Sequence, residues 1–256
     1  MSERLVAIRA AREAGRYLRQ AFFTLSSRDV KQKSRFESVT TADKKAGEMI
    51  TRSLRRAFPT YGVINEEAPT ISAGAAATWV IDPIDGTTNF ITHNPYFSLA
   101  IGLVKNGIPT LGVIYWPEFN ELFVGELGKG ALVNDEPIHV AAESRLSHSI
   151  ISLGYTHTRQ SIEGSAAIYR KARFAVNNMR HAGSTSLDLA FVAAGRLEAA
   201  IQVGPIRLWD VAAGIPIILE AGGIVSDFKG RAFTDKSRDF LASNGKIHNA
   251  LLKKIS

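Results

Sequence analysis

The chain has 256 residues, 45% of them hydrophobic and 21% charged, with no cysteine. That is enough for one large core or two closely packed halves, and it excludes disulfides, thiolate zinc sites and cysteine nucleophiles, so a bound metal would be a hard cation held by carboxylates, carbonyls or imidazoles. The formal charge of +7 is densest at Arg28 to Lys33 and Arg52 to Arg56 without interleaved aromatics, which reads as a solvated surface attracting anionic substrates rather than a nucleic-acid site.

Leu5, Ile8, Leu18 and Phe22, with Ala11 and Ala14 between them, recur at helical spacing and predict an amphipathic helix over 2–23 rather than a signal-peptide core. No run reaches the roughly 18 apolar residues of a membrane span, so a cytoplasmic protein is expected. The polar stretch Arg28 to Ser38 has no period and predicts a mobile loop, a candidate lid in which Lys33 could steady substrate. A second helix is predicted over 42–58, burying Ala46, Met49, Ile50, Leu54 and Ala57 and stopped by Pro59. Short β-rich runs at 61–65, 78–82, 97–104, 109–115 and 121–125, separated by turn formers such as Lys105-Asn106-Gly107, predict an antiparallel sheet.

Beyond about residue 144 the pattern alternates again. Strands are predicted at 149–153, 174–179, 197–201, 223–226 and 240–242, with helices at 163–171, 184–194, 209–221 and from Lys246 onward. The expected fold class is mixed α/β, layered, with one half at 1–143 and another at 144–256.

The sharpest chemical feature is Asp82-Pro83-Ile84-Asp85-Gly86-Thr87-Thr88-Asn89-Phe90. Pro83 restricts Asp82 to extended backbone, Asp85-Gly86 turns the chain, and two carboxylates with the Ile84 carbonyl between them can converge on cations. Alone, an ordinary Asp-Gly turn would explain the string. Glu66 and Glu67 follow another apolar run, where two adjacent glutamates ordinarily mark a solvated turn; adjacent side chains on extended backbone point opposite ways, so at most one of them, Glu66, is expected to reach a shared metal. Asp210 opens the 209–221 helix and Asp43 the 42–58 helix, where each could simply complement the helix start. Gly183-Ser184-Thr185 precedes an apolar helix and offers either a cap or an anion site.

Taken together and in order, these segments resemble the inositol monophosphatase family within the lithium-sensitive, magnesium-dependent sugar phosphatases. The resemblance also covers Lys33, Val39 to Asp43, Ala193-Ala194-Gly195-Arg196, Trp209 to Gly214 and Glu220 to Gly223. It implies a five-layer αβαβα sandwich, usually a homodimer, that hydrolyses a small phosphorylated polyol or sugar with two or three Mg2+ ions. One ion would be bound by Glu66, Asp82 and the Ile84 carbonyl, another by Asp82, Asp85 and Asp210, and a third near Glu66. Asp43 and Thr87, with Glu66, would activate water. Asp85, Gly86, Thr87, Gly183 to Thr185, Gln202 and Asp210 would hold the substrate.

One departure concerns specificity. Inositol-preferring members carry a glutamate seven residues before the Trp-Asp aspartate; Val203 stands there, and with one inserted residue Gln202 takes the place. A neutral amide still hydrogen-bonds hydroxyls but without charge assistance, so fructose bisphosphate and other sugar phosphates stay open as substrates. A regulator of the same fold that binds RNA or the transcription apparatus is the non-enzymatic alternative.

Overall fold

The computed structural model describes residues 1–72, 74–234 and 236–256. Helix α1 (Glu3–Thr24) leads to a hairpin of β1 (Val30–Gln32) and β2 (Ser38–Thr40), then α2 (Thr41–Ala57). Next come β3 (Gly62–Asn65), β4 (Ala68–Ile71), β5 (Ala77–Asp85), the short helix α3 (Thr87–Ile91), β6 (Ser98–Lys105), β7 (Ile108–Trp116), β8 (Glu121–Glu126), β9 (Ala131–Val133) and β10 (Glu136–Pro137). The remaining elements are β11 (Ile150–Tyr155), α4 (Arg159–Ala172), β12 (Asn178–Arg180), α5 (Thr185–Ala193), β13 (Ala199–Val203), α6 (Leu208–Val211), α7 (Gly214–Glu220), β14 (Ile224–Ser226), β15 (Asp239–Ser243) and α8 (His248–Ile255).

Two sheets organise the molecule. The larger has eight strands in the order β10-β9-β8-β7-β6-β5-β3-β4, the smaller five in the order β12-β11-β13-β15-β14. Three large buried apolar clusters alternate with them. In the first, Val6, Ala10, Ala14 and Leu18 of α1 and Ala46, Ile50 and Leu54 of α2 meet Trp79, Ile81, Leu99 and Val113 on one face of the large sheet. In the second, Leu187 and Ala190 of α5 and Ile217 of α7 lie between Ala100, Ile114 and Phe123 of the large sheet and Ala200 and Ala242 of the small one. In the third, Ile168 of α4 and Leu251 of α8 cover Ile151, Ala199 and Leu241 on the outer face of the small sheet. The architecture is therefore a five-layer αβαβα sandwich, each apolar face covered by the next layer.

Several elements differ from the sequence reading for identifiable reasons. The stretch 28–38 is not a featureless loop: β1 and β2 pair antiparallel, Val30 opposite Thr40 and Gln32 opposite Ser38. In the large sheet β3 pairs parallel with β5, and the connection between them carries the edge strand β4, antiparallel to β3. Met49 is half-buried and Ala57 exposed, because the helix's apolar stripe runs through Ala46, Ile50 and Leu54. The predicted strand at 174–179 shrinks to 178–180; Val176 is buried while Phe174 is 97% exposed, so the chain here is a turn out of α4. The predicted helix 209–221 is two helices, because Pro216 has no N–H for the carbonyl of Ala212 and is accommodated only in the first turn of a new helix.

A row of glycines seats those two helices. Gly102, Gly112 and Gly125 lie side by side across β6, β7 and β8. A Cβ on Gly112 would sit 1.8 Å from the Ala213 carbonyl oxygen, and one on Gly125 2.5 Å from Ile217 Cα. Only hydrogen there lets the helix backbone rest on the sheet, and this contact fixes the height of Asp210 above the strands.

Candidate metal and phosphate site

The acidic residues reach one region from separate elements. β5 continues through Pro83 to Asp85, with a register irregularity against β6 between Asp82 and Asp85. The interruption falls on Pro83 and Ile84, with Asp82 still opposite Ala100 and the ladder resuming at Asp85 opposite Ser98; such an irregularity bends the strand and re-aims its side chains. Gly86 then adopts φ 96°, a conformation that favours glycine, and α3 starts at Thr87.

Asp82 is 3% exposed, and its Oδ1 is buried without a hydrogen-bond partner. Burial pushes its carboxyl well above the ordinary range, and the nearby charges of Glu66, Asp85, Asp210 and Asp43 push it further. Asp210 is raised to about 8 by burial, despite the Arg207 amide donating to its Oδ2 at 2.8 Å, with Asp85 and Glu66 adding repulsion. Glu66 is raised to about 7, chiefly by burial and against the attraction of Lys33. Asp85 is raised by burial, an effect opposed by the Ser184 hydroxyl donating to Oδ2 at 2.8 Å and by the amides of Ser186 and Thr185. These four carboxylates share one electrostatic field. Among the described residues no three His, Asp or Glu side chains form a ready-made metal cage.

The donors nevertheless suit a hard cation. A buried carboxylate oxygen with no donor is destabilised by a few kcal/mol, and Asp82 Oδ1 is such an atom. A divalent cation supplies the missing partner, and the set is all oxygen, as magnesium prefers. The Ile84 carbonyl also accepts a hydrogen bond from Thr87 Oγ1 at 3.1 Å.

Asp43 stands at the third residue of α2, held in a reciprocal cap. Thr40 donates to Asp43 Oδ2 through its backbone N–H (2.7 Å) and its hydroxyl (2.5 Å), while the amides of Ala42 and Asp43 donate back to Thr40 Oγ1. The cap spends Oδ2 and leaves Oδ1 facing Thr87 Oγ1 at 3.3 Å. Burial raises this carboxyl to about 6 even though Thr40 and Thr87 hydrogen-bond it.

Two features were not apparent from the sequence. Glu66 and Glu67 form the turn after β3, and both reach Lys33: Glu66 at 3.4 Å and Glu67 more closely. Lys33 is thus paired with two carboxylates. Its pKa stays above the ordinary value because the two glutamates outweigh its burial. The second is Ser186, whose amide clamps Asp85; nothing in the string Ser184-Thr185-Ser186 distinguishes that role from capping.

Of the substrate candidates, the segment Gly183 to Thr185 lies against the Asp85-Gly86 turn. Gly183 (φ 84°) backs onto Gly86, where a Cβ would stand 3.0 Å from the Gly183 carbonyl oxygen. Ser184 caps α5, accepting from the Leu187 amide at 3.4 Å, and Thr185 is its first residue. Gln202, at the end of β13, lies across the backbone of Gly154 in β11. From the hairpin, Phe36 stacks on His157 just beyond β11, with ring centroids 5.9 Å apart.

The family model described as the inositol monophosphatase family matches residues 2–256. The chain belongs to the inositol monophosphatase family. Two relatives within it are the inositol-1-monophosphatase of Mesorhizobium japonicum, 37% identical and covering 98% of this chain and 94% of the relative, and the Nus factor SuhB of Xylella fastidiosa, also 37% identical and covering 98% and 93%. Among solved structures, the extragenic suppressor protein suhB of Bartonella henselae superposes with a TM-score of 0.94 at 34% identity over 98% of this chain and 97% of that one. The inositol monophosphatase of Anabaena superposes with a TM-score of 0.89 at 34% identity, over 98% and 94%. Both the layered fold and the chain-length match agree with family membership.

Proposed function

We propose that this chain is a magnesium-dependent phosphomonoester hydrolase acting on inositol monophosphate or a related sugar or polyol phosphate. The observation that carries the reading is the mutually repelling set Glu66, Asp82, Asp85 and Asp210, half-buried except for the buried Asp82, with an unpartnered oxygen at Asp82 Oδ1. Glu66, Asp82 and the Ile84 carbonyl would hold one ion and Asp82, Asp85 and Asp210 a second, with a third near Glu66. When bound, such ions acidify a water and neutralise the charge growing on the leaving oxygen.

The chain's own groups do the remainder. Thr87 Oγ1 takes a proton from the attacking water and passes its own to Asp43 Oδ1, its neighbour at 3.3 Å, and Glu66 assists in orienting that water. The amides at Gly86 and Thr87 and the segment Gly183 to Thr185 bind the phosphate end. Gln202 and Asp210 meet substrate hydroxyls. A homodimer in the cytoplasm, inhibited by lithium, completes the reading, with the half at 144–256 contributing Asp210 and the substrate rim to a site begun by 1–143.

The test is phosphate release from inositol 1-phosphate, fructose 1,6-bisphosphate, NADP and histidinol phosphate, each with magnesium and with chelator. Release from a polyol or sugar phosphate only with magnesium is expected; equal release in chelator refutes the reading. The relatives named Nus factor SuhB motivate a second reading, a regulator bound to RNA or the transcription apparatus. Absence of turnover across the whole panel would favour it.

A further inference from the structure

Asn89 lies outside every role assigned above, yet its side chain makes three hydrogen bonds at the seam between the Asp85-Gly86-Thr87 turn and the Gly183–Ser186 segment. From α3, its Nδ2 donates to the carbonyl of Tyr96 at 2.6 Å and to the carbonyl of Ala182 at 2.8 Å. Its Oδ1 accepts from Asn94 Nδ2 at 3.0 Å, and its own carbonyl accepts from the Asn94 amide at 2.8 Å. Both amide hydrogens and the amide oxygen are therefore committed.

Ala182 precedes the glycine, serine and threonine proposed to cradle phosphate. A Cβ on Gly183 would come 3.2 Å from Asn89 Nδ2, so the amide packs directly under that loop. Downstream, Ser184 Oγ and the Ser186 amide grip Asp85 Oδ2. On the other branch the Tyr96 hydroxyl donates to Asp188 Oδ1 at 2.8 Å, and Ser152 of β11 donates to Asp188 Oδ2. Asp188 sits one turn into α5, so a second contact ties the same helix to the segment that Asn89 holds.

We propose that Asn89 is a positioning residue: its carboxamide staples the carbonyls of Tyr96 and Ala182, setting the Gly183–Ser186 segment in register with the Asp85-Gly86-Thr87 turn. The idea rests on the phosphatase reading for its effect on turnover, but not for its effect on structure. An amide side chain is required because two carbonyl oxygens need two N–H donors from one point. A carboxylate of the same shape has no donor and sets negative charge against both carbonyls. Without the staple the segment is free to shift, and displacements of about 1 Å near reacting groups reduce rates by on the order of a hundredfold.

The experiment uses the full chain in magnesium and compares Asn89→Ala and Asn89→Asp with Leu251→Ala, a core truncation in α8 remote from the site. In both Asn89 variants, kcat for the best substrate is expected to fall at least ~10-fold, with KM changing less than kcat. Amide hydrogen exchange at 183–186 is expected to speed up at least ~10-fold while exchange in α8 stays unchanged, and Leu251→Ala should show the reverse pattern. Wild-type turnover in Asn89→Asp, or unchanged exchange at 183–186 in Asn89→Ala, would overturn the proposal. If the wild-type chain proves to have no phosphatase activity, the exchange measurement still decides the staple, so the two failures are distinguishable.

Discussion

Thr87 Oγ1 and Asp43 Oδ1 stand 3.3 Å apart, joining the start of α3 to the start of α2 across 44 residues of sequence. The contact depends on Thr40, whose amide and hydroxyl both bind Asp43 Oδ2 and so orient the other oxygen. A helix cap and a proton acceptor are here the same side chain.

If that pair relays a proton, Thr87→Ala lowers kcat by ~100-fold, while Thr87→Ser, which keeps the hydroxyl, stays within ~10-fold of wild type. Asp43 must be ionised to accept, and its carboxyl is raised to about 6. Turnover should therefore decline as pH drops through about 6. Steady-state phosphate release in saturating magnesium from pH 5 to 9 checks both points; equal rates for the alanine and serine variants would rule out the relay.

Asp85→Asn should remove most turnover, by ~100-fold or more, without unfolding the chain. The amide keeps the shape and still accepts from Ser184 and Ser186, but loses the charge proposed to hold a cation. Circular dichroism and thermal melting establish the fold, and phosphate release reads the loss; a fully active variant would remove Asp85 from the site.

Stability should depend on pH and magnesium together. Asp43, Glu66 and Asp210 have folded-state values of about 6, 7 and 8, above the unfolded values of 3.8 for Asp and 4.5 for Glu. A carboxyl raised in the folded state binds its proton more tightly there, so the stabilisation is full below about pH 4 and is lost as pH rises through about 6 to 8. In chelator the melting temperature should fall over that interval. Magnesium should restore it by at least ~3 °C at pH 8 and by much less at pH 5; a shift independent of pH would place any bound ion away from these groups.

Gly112→Ala should destabilise the chain by about 1–3 kcal/mol, because its Cβ would fall 1.8 Å from the Ala213 carbonyl oxygen. Lifting α6 and α7 also displaces Asp210, so activity should drop further than the loss of folded protein explains. Denaturant melts alongside specific activity of the folded fraction separate the two effects. A Gly107→Ala control, at a turn with φ 80° where nothing stands within 4 Å, should cost some stability through backbone strain but leave the specific activity of the folded fraction unchanged.

Gln202→Glu should raise kcat/KM for inositol 1-phosphate relative to fructose 1,6-bisphosphate by about 5–10-fold, the worth of charge assistance to one hydroxyl contact. The substrate panel repeated on this variant measures the ratio, and an unchanged ratio would remove Gln202 from substrate contact.

Much of this was legible in the linear sequence, because helix stripes and strand ends are local. The spacing of Ala46, Ile50 and Leu54 predicts α2, and the string Asp82 to Thr87 marks a strand that ends in carboxylates. Less local features are not encoded in short stretches of sequence. The hairpin at 30–40 has three-residue strands, too short to show a period, and the break at Ala212–Ala213 follows from one missing N–H at Pro216. The turn after β3 also brings both Glu66 and Glu67 to Lys33, a pairing between distant segments that no local pattern shows.

What the sequence determined by itself was the inventory: oxygen ligands without thiols, a capped aspartate at the start of α2, and a glycine that lets the chain turn after Asp85. Those are consequences of residue chemistry and near-neighbour sterics. Only the tertiary structure decided which of these groups face one another. The glycine row that lowers α6 onto the sheet, the Asn89 amide shared by two loops and the orphaned oxygen of Asp82 each depend on segments tens of residues apart being brought within a few ångströms. Such contacts arise from packing two sheets around a common helical layer, and no local pattern encodes them.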